Sequence, residues 1–258
     1  MAATLIVEDL EGGVRRLTLS HPARRNALDD GLLAALQEAL DPRGAEGVRA
    51  LVIRGEGSAF CAGYDLNSLQ QVKDGAPLPD AFLMETLAVL EACPWPTVAM
   101  VRGPAYGAGC DLALSCDFRL AATDAAFCLP PAKLGIAYAP EGIARAIRAV
   151  GTGPARRMLF TGEVVRAERA LQLGLVESLH APETLEDAAL ELCGTLAGKA
   201  PLALSGMKAA FGALARGALT PEQREHLEAL RRSAYQSDDA REGRAAFLEK
   251  RRPHFTGH

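Results

Sequence analysis

Several signatures of common protein classes are absent from this sequence of 258 residues. No apolar run reaches the roughly 18 residues that a membrane-spanning helix needs. The formal net charge is −4, so the chain has no basic excess to attract a nucleic acid or an anionic membrane. The six cysteines include no CxxC pair, which favours buried, reduced thiols over disulfides or metal ligands. The first residues, MAATLIVEDLEGG, lack the basic start of a signal peptide, so we expect a cytoplasmic protein that binds neither membrane nor nucleic acid.

The motifs of several familiar enzyme classes are missing as well. No serine lies in a GxSxG turn and no histidine lies in a catalytic context, which argues against a Ser–His–Asp hydrolase. There is no HExxH motif and no acidic cluster, so we expect no metal site. The segment GAG is followed by CDL and therefore does not fit the phosphate-binding pattern GxGxxG, and there is no GK[ST]. A site in this protein must be built from other groups.

Strands and helices alternate in the first part of the chain. Val14 to Ser20 alternates as a strand does, and Asp29 or Asp30 can cap a helix that ends before Pro42. Residues 70–80 are polar and hold two prolines, which predicts a surface loop. From residue 142 onward the pattern is mainly helical. The alternation predicts an α/β layer architecture, and the helical end must pack on it or on another subunit.

Two glycine-bearing turns each follow a predicted strand. They are CAGYD, from Cys61 to Asp65, and YGAGCD, from Tyr106 to Asp111. Glycines at such turns let the backbone approach a ligand and leave N–H groups at a helix start free. Two N–H groups that converge on one oxygen form an oxyanion hole. The alternative is that these glycines only close tight corners.

Two other segments carry candidate functional groups. The loop FCLPPAKLGIAYAPEG holds Tyr138 and Glu141 between apolar residues, just before a predicted helix. From Arg216 to His258 there are nine Lys or Arg residues against seven Asp or Glu residues. This basic tail is either a solvated helical face or a surface for an interface or a phosphate-bearing ligand.

Four motifs occur in an order that resembles a known family. The motifs AFCAGYDL, RGPAYGAGCDLALSCDFRLAA, LGIAY and AFLEKRRPHF are similar to those of the crotonase (enoyl-CoA hydratase/isomerase) superfamily, from Arg24 to the end of the chain. The resemblance implies an α/β fold with a crotonase-like spiral of ββα units in residues 1–195. It also implies a helical region in residues 196–258 that builds homotrimers, often paired as hexamers. The implied substrate is an acyl-CoA thioester, with no cofactor beyond its coenzyme A moiety.

The same resemblance implies roles for particular residues. The thioester oxygen would lie between the backbone N–H groups of Tyr64 and Ala108. The residues expected near the coenzyme A moiety are Arg24, Arg25, Ala62, Phe247 and Lys250. The arginines would lie near the phosphates and the Ala62 backbone near the adenine. Phe247 and Lys250, at positions i and i+3 of one predicted helix face, would reach the ligand of a neighbouring subunit.

The reaction depends on the acidic groups that this chain keeps. Hydratases of the family use two glutamates; Asp111 stands at the first position and Pro131 at the second. Pro131 and Tyr138 together resemble the methylmalonyl-CoA decarboxylase branch, so our leading hypothesis is decarboxylation of a small malonyl-type CoA thioester, with Tyr138 orienting the carboxylate. One alternative is an enoyl-CoA hydratase or isomerase that uses Asp111 and possibly Glu141, which is otherwise a helix-start carboxylate. A second alternative is a non-catalytic acyl-CoA-binding protein.

Overall fold

The structure is a computed structural model, and it describes residues 3–65 and 77–258. The strands of these residues are β1 (Thr4–Leu10), β2 (Val14–Ser20), β3 (Ala50–Gly55), β4 (Thr97–Val101), β5 (Pro104–Tyr106), β6 (Phe118–Ala122), β7 (Ala126–Cys128), β8 (Val164–Arg166) and β9 (Ser178–His180). The α-helices are α1 (Asp30–Ala39), α2 (Ala81–Ala92), α3 (Ala108–Ser115), α4 (Pro140–Val150), α5 (Thr152–Thr161), α6 (Ala167–Gln172), α7 (Leu185–Ala197), α8 (Pro201–Leu214), α9 (Pro221–Gln236) and α10 (Asp238–Glu249). Most of the predicted surface loop, residues 70–76, lies outside the described residues.

Two sheets organise the first part of the chain. The larger sheet has the strand order β1-β2-β3-β4-β6-β9, in which β1 is antiparallel to β2 and the other pairs are parallel. The smaller sheet has the order β5-β7-β8. Helices join the parallel strands, as parallel connections require. The predicted α/β architecture is therefore confirmed.

Local sequence explains the helices that lie beside the site. The Asp29 side chain accepts a hydrogen bond from the Leu32 N–H and caps α1, whose buried Leu32, Leu33 and Leu36 face the core. Each buried leucine contributes about 1.5–3 kcal/mol. Every residue of α3 is buried, because α2, α4 and β5 pack around it. A short buried helix of this kind gives its N-terminus a rigid position.

The helices after β9 divide between the sheet and the surface. Buried residues of α7, including Leu185, Ala189 and Cys193, pack against the larger sheet. The expected boundary after residue 195 therefore falls within the last turn of α7, which ends at Ala197. The helix α8 is attached to the core by Lys208, whose amine donates to the Trp95 carbonyl oxygen at 2.8 Å. Helices α8, α9 and α10 enclose an apolar groove of about 620 Å³.

The structure also contains elements that the sequence pattern did not predict. Strands β5, β7, β8 and β9 have three residues each, which is too short for an alternating pattern to be recognised. All six cysteines are free and buried, as predicted, and burial raises the pKa of Cys61 to about 12. Among the helices of the described residues, none combines the length and apolar character that crossing a membrane requires.

Candidate active site

The two glycine-bearing turns lie directly against each other. Cys61 pairs with Ala105 of β5, and the Tyr106 N–H donates to the Cys61 carbonyl oxygen at 2.9 Å. At Gly109, a Cβ atom would lie 2.2 Å from the same carbonyl oxygen, so only glycine allows this approach. Gly63 has φ +113°, a conformation that favours glycine. These two glycines are therefore required by the contact between the turns as well as by the turns themselves.

Several backbone N–H groups in these turns, including those of Tyr64 and Ala108, donate to no acceptor among the described residues. Neither the Tyr64 nor the Ala108 N–H donates a hydrogen bond within residues 3–65 and 77–258. One neighbour of each does donate: the Asp65 N–H donates to the Leu28 carbonyl oxygen at 2.8 Å, and the Gly107 N–H donates to the last carbonyl group of β7 at 2.8 Å. The Ala108 N–H is also at the start of α3, where the helix dipole favours negative charge.

The predicted donors are close together. A Cβ atom at Gly63, the residue before Tyr64, would lie 3.7 Å from the Ala108 nitrogen. The structure thus places near each other the Tyr64 and Ala108 N–H groups, which the family resemblance implies for an oxyanion hole. An arrangement of two preorganised N–H donors can stabilise a thioester enolate oxygen.

Asp111 lies one turn into α3 from Ala108 and is fully buried. Its carboxylate is held by Arg145 of α4, with Nε to Oδ1 at 2.7 Å and Nη2 to Oδ2 at 3.0 Å. The Arg145 side chain is 2% exposed. Sequence reasoning did not identify Arg145, because an arginine in an amphipathic helix is ordinarily assigned to the solvent face. Asp111 is therefore one member of a buried, doubly hydrogen-bonded ion pair.

Further charged residues extend the ion pair into a network that reaches the surface. The Arg145 Nη1 atom lies 3.3 Å from a Glu91 carboxylate oxygen, and the other oxygen of Glu91 accepts from Arg148 at 2.7 Å. The Met84 sulfur atom lies 3.6 Å from Arg145 Nη2. Contacts from α2 and α3 thus hold the Arg145 guanidinium on several sides.

Tyr138 lies beside Asp111. A Cβ atom at Gly142 would lie 2.5 Å from Tyr138 Cε1 and 2.9 Å from Asp111 Oδ2, so Gly142 lets the two side chains meet. The buried Tyr138 hydroxyl has no partner at hydrogen-bonding geometry in the described part of the chain. Burial, and next the charge of Asp111, raise the pKa of Tyr138 well above its ordinary value. The phenol therefore stays protonated and can donate a hydrogen bond or a proton.

The other two residues of the loop have different surroundings. Glu141 is exposed in the first turn of α4, where the helix dipole favours a carboxylate. Pro131 is buried at the start of a short 3-10 helix and offers no ionisable group. The structure therefore groups Asp111 with Tyr138 and leaves Glu141 in solvent.

The residues expected near coenzyme A lie in two regions. The Arg24 guanidinium pairs with the Asp65 carboxylate at 2.6 Å. The Ala62 N–H donates to the Arg25 carbonyl oxygen at 2.9 Å, and the Ala62 carbonyl group accepts no hydrogen bond from the described residues. Next to them, the Tyr64 hydroxyl donates to Asp30, which fixes the Tyr64 side chain toward α1.

The second region is at the end of α10. Phe247 is 83% exposed, and Lys250 follows the helix with φ 55°. The prediction that these two residues share one helix face is wrong, because α10 ends at Glu249 and Lys250 adopts a left-handed conformation there. No group of three His, Cys, Asp or Glu residues in the described residues could hold a metal ion.

Known proteins resemble this chain over nearly its whole length. The family described as "Enoyl-CoA hydratase/isomerase" matches residues 9–258. A "Probable enoyl-CoA hydratase echA6" of Mycobacterium leprae is 36% identical, over 95% of this chain and 96% of that protein. The "Methylmalonyl-CoA decarboxylase" of Escherichia coli is 29% identical, over 94% of each chain. A solved enoyl-CoA hydratase from Polaromonas sp. JS666 is 34% identical, with a TM-score of 0.86 over 98% of this chain and 99% of that one.

The two relatives named as enoyl-CoA hydratases are more similar to this chain than the one named as a decarboxylase. The match to the family over residues 9–258 agrees with the pair of glycine turns and with the fold. This chain belongs to the enoyl-CoA hydratase/isomerase family, within the crotonase superfamily.

Proposed function

We propose that this protein is an enoyl-CoA hydratase or isomerase that stabilises a thioester enolate between the N–H groups of Tyr64 and Ala108. The observation that carries the proposal is that the Tyr64 and Ala108 N–H groups lie in two touching turns and donate to no acceptor among the described residues. Adding water to an enoyl thioester, or moving its double bond, places negative charge on the thioester oxygen. Donors to that oxygen form stronger hydrogen bonds as the charge develops, and this difference accelerates the reaction.

Asp111 and Tyr138 are the groups that would transfer protons in this proposal. Hydration needs a group that accepts a proton from water and a group that delivers one to the α carbon. A carboxylate and a protonated phenol lie together next to the proposed oxyanion hole. The exposed Glu141 is not needed for either role.

Decarboxylation is the second candidate, and one observation favours it. The position expected for a second carboxylate holds the buried Pro131, while the Tyr138 hydroxyl is buried without a partner in the described residues. Losing CO₂ from a malonyl-type thioester needs no general base, because the breaking C–C bond itself supplies the electron pair of the enolate. The Tyr138 hydroxyl would then hydrogen-bond the departing carboxylate.

One assay separates the candidates. The protein is incubated with crotonyl-CoA, a 3-enoyl-CoA and methylmalonyl-CoA. Products are separated by liquid chromatography and identified by mass spectrometry, and by ultraviolet absorbance where a 2-enoyl and a 3-enoyl thioester have the same mass. The first candidate is supported if Asp111→Asn lowers the rate of water addition or double-bond movement by about 10²-fold or more and Glu141→Gln preserves that rate. Faster loss of CO₂ from methylmalonyl-CoA would replace it with the second. Tight acetyl-CoA binding without turnover of any substrate would instead identify a non-catalytic acyl-CoA-binding protein.

We further propose the arrangement around this site. Arg24, Arg25 and the Ala62 backbone would contact coenzyme A, and Phe247 and Lys250 would contact the ligand of a neighbouring subunit.

The contact with a neighbouring subunit requires a homotrimer or hexamer in which residues 196–258 form the interface. The exposed Phe247 and the apolar groove between α8 and α10 support this assembly. Light scattering tests the assembly, and activity after dialysis against EDTA tests whether anything beyond the coenzyme A moiety of the substrate is needed. We expect cytoplasmic location, which fractionation of the source cell tests.

A further inference from the structure

The Asp111–Arg145 pair is unusual in where it lies. Both side chains are almost completely buried, with exposures of 0% and 2%. Transferring two charges from water to an interior is costly, and a buried pair stabilises a fold no better than apolar side chains of the same size. Stability alone therefore does not account for an ion pair at this position, where apolar packing would serve as well.

The geometry of the pair restricts the Asp111 carboxylate to one orientation. Both of its oxygen atoms accept hydrogen bonds from the guanidinium, at 2.7 and 3.0 Å. Two parallel bonds between planar groups prevent the carboxylate from rotating, whereas a single bond would not. The Arg145 guanidinium is itself held by Glu91, so its own orientation is determined as well.

The restricted carboxylate lies beside the ring of Tyr138. The Oδ2 atom of Asp111 lies close to both Gly142 and Tyr138, since a Cβ atom at Gly142 would contact this oxygen atom and the Tyr138 ring. The backbone of Asp111 lies three residues from the Ala108 N–H on the same short helix. The orientation that Arg145 imposes is therefore defined relative to the phenol and to the oxyanion donor.

We infer that Arg145 is a positioning residue of the site: it holds the Asp111 carboxylate in the one orientation, beside Tyr138, on which turnover depends. This inference rests on the proposed function, in which Asp111 transfers a proton. Arg145 itself does not contact the substrate in this account. Its removal should therefore lower kcat and leave the KM for the acyl-CoA close to that of the wild type.

The neighbouring Arg148 provides a matched control. It lies on α4, and like Arg145 it bonds the Glu91 carboxylate, but none of its hydrogen bonds in the described part of the chain goes to Asp111. Both arginines line a cavity of about 280 Å³ between α4 and α8. Arg148→Met thus removes a guanidinium from the same network without releasing Asp111, and kcat should stay unchanged.

The experiment measures kcat and KM for the enoyl-CoA thioester that the wild type hydrates or isomerises. We expect Arg145→Met to lower kcat by about 10²-fold, the loss that a displacement of about 1 Å produces in an active site. Arg145→Lys keeps the charge but cannot hold both oxygen atoms, so we expect it to recover only part of the loss. Arg145→Met leaves a buried carboxylate unpaired. If that variant does not fold, Arg145→Lys is the variant that tests the inference.

A double-mutant cycle distinguishes positioning from a general structural role. If Arg145 acts through Asp111, then Arg145→Met has no further effect on kcat in an Asp111→Asn background. Independent, additive losses would overturn the inference, and so would a wild-type kcat in folded Arg145→Met or full recovery in Arg145→Lys. Absence of turnover in the wild type with every substrate overturns the proposed function and this inference together, whereas turnover with an unaffected Arg145→Met overturns the inference alone.

Discussion

Replacing Gly109 with alanine tests the contact between the two turns. The added Cβ atom would lie 2.2 Å from the Cys61 carbonyl oxygen and 2.7 Å from the Cys61 Cβ atom. Ordinary contact begins near 3.4 Å, and the obstructing carbonyl belongs to the backbone, so the turns must separate by about 1 Å. That displacement moves the Ala108 N–H away from the Tyr64 N–H.

The expected losses follow from this displacement. Removing one donor from an oxyanion hole typically lowers kcat by about 10²–10³-fold, or about 2.7–4 kcal/mol of transition-state stabilisation. Overpacking a well-packed interior costs about 1–3 kcal/mol of folding free energy. We therefore expect Gly109→Ala to fold at 25 °C with a lowered free energy of unfolding and to lose at least 10²-fold in kcat.

The assay combines turnover of the acyl-CoA substrate with urea unfolding followed by circular dichroism. Gly194→Ala is the control: Gly194 is exposed in the interior of α7, and a Cβ atom there meets nothing within 4 Å. Alanine should stabilise that helix by about 0.5–1 kcal/mol and leave kcat unchanged. A folded Gly109→Ala protein with wild-type kcat would refute the assignment of the two turns as one oxyanion hole.

Three further changes have distinct expected outcomes. Tyr138→Phe keeps the ring and removes a buried hydroxyl that has no partner in the described residues. The free energy of unfolding should therefore stay unchanged or rise by up to about 1 kcal/mol. Because the proton-transfer group is lost, kcat should fall about 10²-fold or more. Lys208→Met leaves Asp117 without the amine that lies 2.8 Å from its carboxylate, and the free energy of unfolding in urea should fall by about 1–3 kcal/mol. Hydrogen bonds from Arg251 lower the pKa of Glu242 from 4.5 to about 2, so the stability it contributes is present above pH 4.5 and is lost as the pH falls toward 2.

Each of these changes has a control. Tyr235→Phe alters an exposed tyrosine and should change neither stability nor kcat; a lowered stability in Tyr138→Phe would mean that its hydroxyl has a partner. Lys199→Met, at the end of α7, should leave stability within about 0.5 kcal/mol of the wild type. In Glu242→Gln the loss of stability between pH 4.5 and 2 should be smaller, and an identical loss would exclude Glu242 as its source.

Local elements of the fold were predictable because their causes lie within a few residues. The cap of α1 at Asp29, the buried helix α3 and the two glycine turns all depend on neighbours in the chain. The free N–H group of Ala108 belongs to this class, since the first N–H groups of a helix have no intrahelical acceptor wherever the helix begins. The short strands were missed for the opposite reason: three residues carry no period, and their pairing is decided by distant strands.

The sequence by itself therefore determined the family and the α/β architecture, and the resemblance to the family implied the two candidate donors at Tyr64 and Ala108. Only the tertiary structure decided the environment of Asp111, because the arginine that holds it comes from a different helix, 34 residues further along the chain. The same holds for the buried phenol of Tyr138, whose lack of a partner among the described residues depends on how α3 and α4 pack. Sequence periodicity specifies which face of a helix is buried, whereas the contacts of a buried charge depend on the neighbours that packing brings to that face.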